Sequence, residues 1–166
     1  MLDPDHLIEL AGDEARAPSA GRPRQANLSP AISTAYYAVF HQLLRAAAVL
    51  FVPQSHWKSR VLFYRSREHG RIRDRRKKPG QNPLPPGERA FLGFEAFSAE
   101  IRLFATEFVS LRELRHVAGY DPESDFTSKE AQDAVAAARK AIANLPAAPD
   151  EMMFPFLSYL LIGLRR

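Results

Sequence analysis

Three places in the sequence set a basic or imidazole side chain one helical turn from a partner. Tyr37 and His41 stand four apart in "STAYYAVFH", Arg65 and His69 in "YRSREHG", and Arg112 and His116 in "LRELRH". Residues at that spacing share one face of a helix. Histidine moves protons near neutral pH, and an arginine fork holds oxyanions, so these pairs carry what polar chemistry the sequence offers. The residues singled out are Arg115, His116, Arg65 and His69, with Tyr37, His41, Tyr120 and Asp121 as a polar cluster beside them. For any one pair the plainer alternative is a hydrogen-bonded residue at the edge of the core.

Arg115 poses a physical question of its own. Phe97, Ile101, Phe104, Phe108 and Leu111 recur at steps of four and three, the spacing of a buried helix stripe, and the next step of four lands on Arg115. An unpaired guanidinium is costly to bury, so this side chain is expected either to snorkel from a helix end or to meet partners held nearby. Asp121 is the expected partner, in an ion-paired latch, together with the tyrosine and histidine edges of the neighbouring helices.

Charge narrows the partner class. The chain carries a net +4, yet residues 65–78 hold eight lysines and arginines against Glu68 and Asp74, a local +6 that leaves −2 for the remainder. The basicity is one patch, and such a patch recruits polyanions by releasing their counterions. Arg71, Arg73, Arg75, Arg76, Lys77 and Lys78 are therefore the RNA-binding candidates. A solvated loop flank is the ordinary alternative.

Other chemistries lack their residues. The chain has no cysteine, and its five histidines show no paired ligand spacing, so neither a metal nor another cofactor is expected. No nucleophile elbow and no catalytic pair of carboxylates stands out. The stretch "MLDPDHLIEL" lacks a basic n-region, so no signal peptide is expected there, and the apolar stretch Met152 to Leu164 is broken by Pro155 and Ser158. A soluble cytoplasmic protein without a membrane partner is expected.

The elements that must position these residues read as helices. With 166 residues and 46% hydrophobic content the chain suits a single domain over 1–166. A short helix begins behind Asp3 and Pro4. The second is expected to start with Ser29 as cap and Pro30 as its first residue, and to end before Pro53. The third is capped by Ser55 and turns Trp57, Val61 and Tyr64 inward. Residues 77–87, "KKPGQNPLPPG", form a linker, after which Pro86 opens a helix of about thirty residues that runs past Leu111 and stops at Gly119. Thr127 and Glu130 make the capping box of a fifth helix. Residues 149–166 form an apolar C-terminal extension, expected to cover the bundle or a second subunit. The expected class is all-α, an up-and-down bundle of four to five main helices.

"AISTAYYAVFH" on one helix, "YRSREHG" on the next and "RHVAGYDP" ending a long one, followed by a capped alanine-rich helix, resemble the HEPN superfamily over residues 22–145. The nearest likeness is to the bacterial branch with an "AYYA" helix. The resemblance implies a helical bundle, often a homodimer, acting in RNA processing, toxin–antitoxin pairs or defence. It also implies a metal-independent ribonuclease that brings together, across a dimer, an arginine and a histidine with four to six residues between them, which makes Arg115, His116, Arg65 and His69 the catalytic candidates here. This sequence departs from that pattern. Arg112 and His116 enclose three residues, as do Arg65 and His69, Arg115 adjoins His116, and Gly119 stands where an acidic residue is expected before the tyrosine. Two expectations follow: an RNA- or nucleotide-binding protein with weak nuclease activity, or a non-catalytic dimerisation module that partners a nucleotidyltransferase or another protein.

Overall fold

Proline, glycine and short polar side chains decide where the helices of this chain begin and end. The structure, a computed structural model, describes residues 1–16, 25–65, 78–120 and 125–161. Its helices are α1 (Pro4–Ala15), α2 (Gln25–Phe51), α3 (Trp57–Arg65), α4 (Pro86–Leu92), α5 (Ala99–Tyr120), α6 (Ser128–Asn144) and α7 (Asp150–Leu161). No strand occurs among the described residues, so the class is all-α. None of the described helices is long and apolar enough to cross a membrane.

Two helix starts follow the local chemistry. Asp3 caps α1 by accepting a hydrogen bond from the Asp5 backbone N–H at 3.1 Å, with Pro4 in the first turn. At α6 the Glu130 N–H donates to Thr127 Oγ1 at 3.2 Å while the Thr127 N–H donates to Glu130 Oε2 at 2.8 Å, the reciprocal pair of a capping box.

Elsewhere the boundaries move. Helix α2 begins at Gln25, not at Pro30, and carries Pro30 inside it. The missing Pro30 N–H leaves the Ala26 carbonyl without its helical donor, but only near the helix start, and the added turn buries Leu28. The single helix expected from Pro86 onward is two helices. Gly93, at φ 79° and ψ 13°, takes the left-handed conformation that ends α4 and donates its N–H to the Arg89 carbonyl at 2.9 Å. The Ser98 hydroxyl then receives the Ile101 N–H at 3.4 Å as α5 starts. Phe97 remains buried just before α5, so the apolar periodicity carries across the break and conceals it. Nor does Gly119 stop α5, which runs to Tyr120.

The third helix also differs from expectation. Ser55 lies inside a 3-10 turn, Gln54–His56, so it does not cap α3, and Trp57 is 63% exposed. Only Tyr64 of this helix is buried. In the expected linker, Lys78–Gly80 makes a 3-10 turn, and the buried Leu84 donates its N–H to the Glu95 carbonyl at 2.8 Å.

The helices supply two compact units. One comprises residues 2–42 and 107–142. Within it the Tyr36 ring of α2 stacks on Phe108 of α5 at 5.6 Å, Thr34 donates to Glu14 of α1 at 3.2 Å, and the Ser128 hydroxyl donates to the Ala15 carbonyl at 2.9 Å. Small residues of α6, Ala131, Ala134, Ala138 and Ala141, are buried and permit close approach. The other unit holds residues 43–106 and 143–166 with Met1. Its core sets Phe156 of α7 edge-on to Phe97 and Phe104, at 5.7 and 6.0 Å, and Phe51 of α2 against Phe63 and Phe154, at 5.7 and 5.4 Å.

Glu88 in that second unit is the one charged side chain among the described residues that is buried, at 4% exposure. Lys78 donates to its Oε1, and the Tyr159 hydroxyl donates to the same oxygen at 3.4 Å. The hydrogen bond from Lys78 holds the Glu88 carboxyl below its ordinary range, against the opposing pull of burial. A carboxyl lowered by folding contributes stability above its unfolded value and loses it as pH falls through the folded one. Lys78→Ala is expected to lower unfolding free energy by about 2 kcal/mol at pH 7, a figure discounted because the lysine is partly exposed. The deficit should shrink as acid protonates Glu88. Urea denaturation of both proteins across pH 7 to 3 measures this, and a pH-independent gap would exclude the ion pair as its source.

Candidate functional site

Adjacent tyrosines on α2 point to different tasks. A step of one residue turns a helix by about 100°, so Tyr36, 3% exposed, enters the core beside Phe108 while Tyr37 sits at its edge. Their rings meet at 5.5 Å, and Tyr37 stacks on His41, one turn onward, at 6.4 Å. Burial holds the His41 imidazole below its ordinary value of 6.5, which favours the neutral ring at pH 7.

Arg115 meets this edge from α5. Its Nη2 donates to the Tyr37 hydroxyl at 2.9 Å, and its Cζ lies 5.5 Å from the Tyr37 ring centre and 5.6 Å from that of Tyr120. The guanidinium is thus flanked by two aromatic faces and fixed by a phenol. Burial opposes its charge, but hydrogen bonding with Tyr120 and Tyr37 outweighs that and moves its pKa up. The side chain is half-buried. A charge held between π faces keeps favourable contacts while its fork stays oriented.

His116 and Tyr120 continue the cluster toward solvent. Both are exposed, and their rings lie 5.1 Å apart across one turn of α5. Arg115 and His116 are consecutive, so they diverge around the helix and cannot both face one point from a single chain. An exposed pair of rings, tilted by 44° to each other, beside an oriented cation offers a face for a planar base and a charge for the phosphate next to it.

The structure therefore brings together Tyr37, His41, Arg115, His116 and Tyr120 within the unit of residues 2–42 and 107–142. Arg65, exposed at the end of α3, belongs to the other unit. Lys78, assigned from the sequence to the RNA-binding run, donates to Glu88. His69, Arg71, Arg73, Arg75, Arg76, Lys77 and Asp121 lie outside the described residues. Among the described residues no three His, Cys, Asp or Glu side chains gather in a way that could hold a metal ion. Glu88 was not singled out by sequence reasoning, because an acid in the first turn of a helix is ordinarily a solvated dipole partner. Comparison with protein-family models, curated proteins and solved structures finds no match to this chain.

Removing Arg115 should cost more than removing Arg112, about one turn earlier on α5. Arg115→Ala is expected to lower stability by about 1 kcal/mol more than Arg112→Ala, with Tyr37→Phe accounting for much of the difference. Thermal or urea unfolding of the three variants measures it. Equal losses for Arg115→Ala and Arg112→Ala would show that the tyrosine clamp contributes nothing.

Proposed function

We propose that this chain is a HEPN-like protein that binds RNA or a nucleotide at the C-terminal end of α5. The observation that carries the reading is the half-buried Arg115, clamped on Tyr37 and Tyr120, beside the exposed ring pair of His116 and Tyr120. A cation for the phosphate and rings for the base are the two groups that a single-stranded nucleotide requires. The run from Arg71 to Lys77 supports the same reading through its charge, since a clustered positive segment attracts a phosphate backbone whatever its sequence.

Binding is the primary activity in this proposal, and cleavage is secondary. The consecutive positions of Arg115 and His116 argue against both serving one phosphate from one chain, so any cleavage depends on a homodimer in which one copy supplies the arginine and the other the histidine. His116 would then carry the proton and Arg115 the phosphate charge, as HEPN-type chemistry does without a metal.

A second reading, a non-catalytic interaction module that docks a nucleotidyltransferase or another protein, draws on Phe91 and Phe154, which are more than half exposed in the second unit. The two readings separate in one experiment. Titration of a labelled single-stranded RNA should show affinity that falls steeply between 50 and 200 mM salt and drops at least fivefold in Arg115→Ala and in Tyr120→Ala. Any cleavage should survive a chelator and vanish in His116→Ala. Absence of binding at low salt, with no cleavage, would remove the nucleic-acid reading and leave the interaction module.

A further inference from the structure

Trp57 has no place in the core of its unit. It opens α3 at 63% exposure, although the apolar spacing of the helix would turn it inward with Tyr64. Lys58 holds its ammonium 5.9 Å from the centre of the indole, and Arg65 is exposed two turns along the helix. Arg60 is occupied otherwise: its Nε donates to the Val52 carbonyl at 2.7 Å and its Nη2 to Val49 at 3.4 Å, tying α3 to the end of α2.

The sequence flanking the indole carries charge of one sign. No aspartate or glutamate stands between Glu14 and Glu68, a span that carries eight lysines and arginines. Helix α3 itself holds Lys58, Arg60 and Arg65 and no acid. An exposed aromatic ring beside exposed cations fits a ligand that offers flat faces and negative charges alternately along its length. Single-stranded nucleic acid is that ligand: a base stacks on the ring while the flanking phosphates meet the cations.

A lipid surface would use the same residue types, but the helix geometry disfavours it. The other strongly exposed apolar residue of α3 is Leu62, 68% exposed and five positions after Trp57. Five steps turn a helix by about 140° beyond one full turn, so a flat membrane meeting one of the two side chains leaves the other in water. Lys58 and Arg65 lie about 100° and 80° around the helix from the indole, on the near side of Leu62, and the Lys58 ammonium reaches the ring at the helix start, where a single base can meet both.

We propose that Trp57, with Lys58 and Arg65, forms a base-stacking site for single-stranded RNA. The site rests on the RNA-binding reading above, but it belongs to the other unit and uses none of the residues at the end of α5. It deepens that reading by naming the strand state: stacking on an indole requires an unpaired base, which a duplex does not present.

Trp57 is the only tryptophan in the chain, so intrinsic fluorescence reports this site directly. The test is one titration with two readouts, tryptophan emission and the anisotropy of a fluorescein-labelled oligouridine, at 50 mM salt. Quenching should track the anisotropy curve, duplex RNA of equal length should leave the emission unchanged, and Trp57→Leu should weaken oligouridine binding about tenfold. A rise in anisotropy without quenching, and with Trp57→Leu binding as the parent does, would overturn the stacking site while leaving RNA binding intact. No anisotropy change would overturn both. Emission altered by vesicles of anionic phospholipid and not by oligouridine would replace the proposal with a lipid site.

Discussion

A guanidinium at the end of an apolar stripe cannot be left without partners, and the arrangement around Arg115 follows from that requirement. The stripe of α5 brings Phe104, Phe108 and Leu111 into buried positions and then delivers a cation to the next position on the same face. Desolvating that charge is tolerable only where a dipole accepts its N–H and π faces flank its plane. Tyr37 supplies the acceptor and one face, and Tyr120, one turn past His116, supplies the other. The tandem tyrosine of α2 joins core to site. Tyr36 packs against Phe108, and by fixing α2 against α5 it sets the place where Tyr37 meets Arg115.

Polar satisfaction takes a different form in the second unit. There Glu88 is buried, and Lys78 with Tyr159 supplies the hydrogen bonds that a buried carboxylate needs. The lysine comes from the end of the basic run, so one residue of that run serves packing while its neighbours in sequence remain the candidates for a polyanion. Positive charge is thus not interchangeable along the chain. Arg60 closes the end of α2 through two carbonyls, Lys78 neutralises Glu88, and Lys58 accompanies an exposed indole.

Side-chain spacing made the helical class legible, and the capping chemistry of α1 and α6 fixed their starts, because both are local properties of the sequence. The inward position of Arg115 was legible for the same reason: a stripe of period 3.6 continues until a helix ends. Asp121, the expected acidic partner, lies outside the described residues, and the partners found are tyrosines. Where the reading failed, a backbone conformation or a tertiary contact decided the outcome. Gly93 breaks the helix from Pro86 through its left-handed conformation, which leaves no trace in apolar periodicity while Phe97 stays buried. Pro30 is absorbed within α2 because burial of Leu28 outweighs one absent donor near a helix start. The exposure of Trp57 was not legible from its type, since an indole on a helix is ordinarily core. The long acid-free span around it was the signal that pointed elsewhere.

The proposed function turns on contact between RNA and the aromatic end of α5 beside Arg115. Ultraviolet crosslinking of oligouridine to the protein, followed by mass spectrometry of the digested adducts, tests it without presuming catalysis. Adducts on the peptide carrying His116 and Tyr120 are expected at low salt, as is their loss in Arg115→Ala. Adducts recovered elsewhere in the chain but never on that peptide would contradict it.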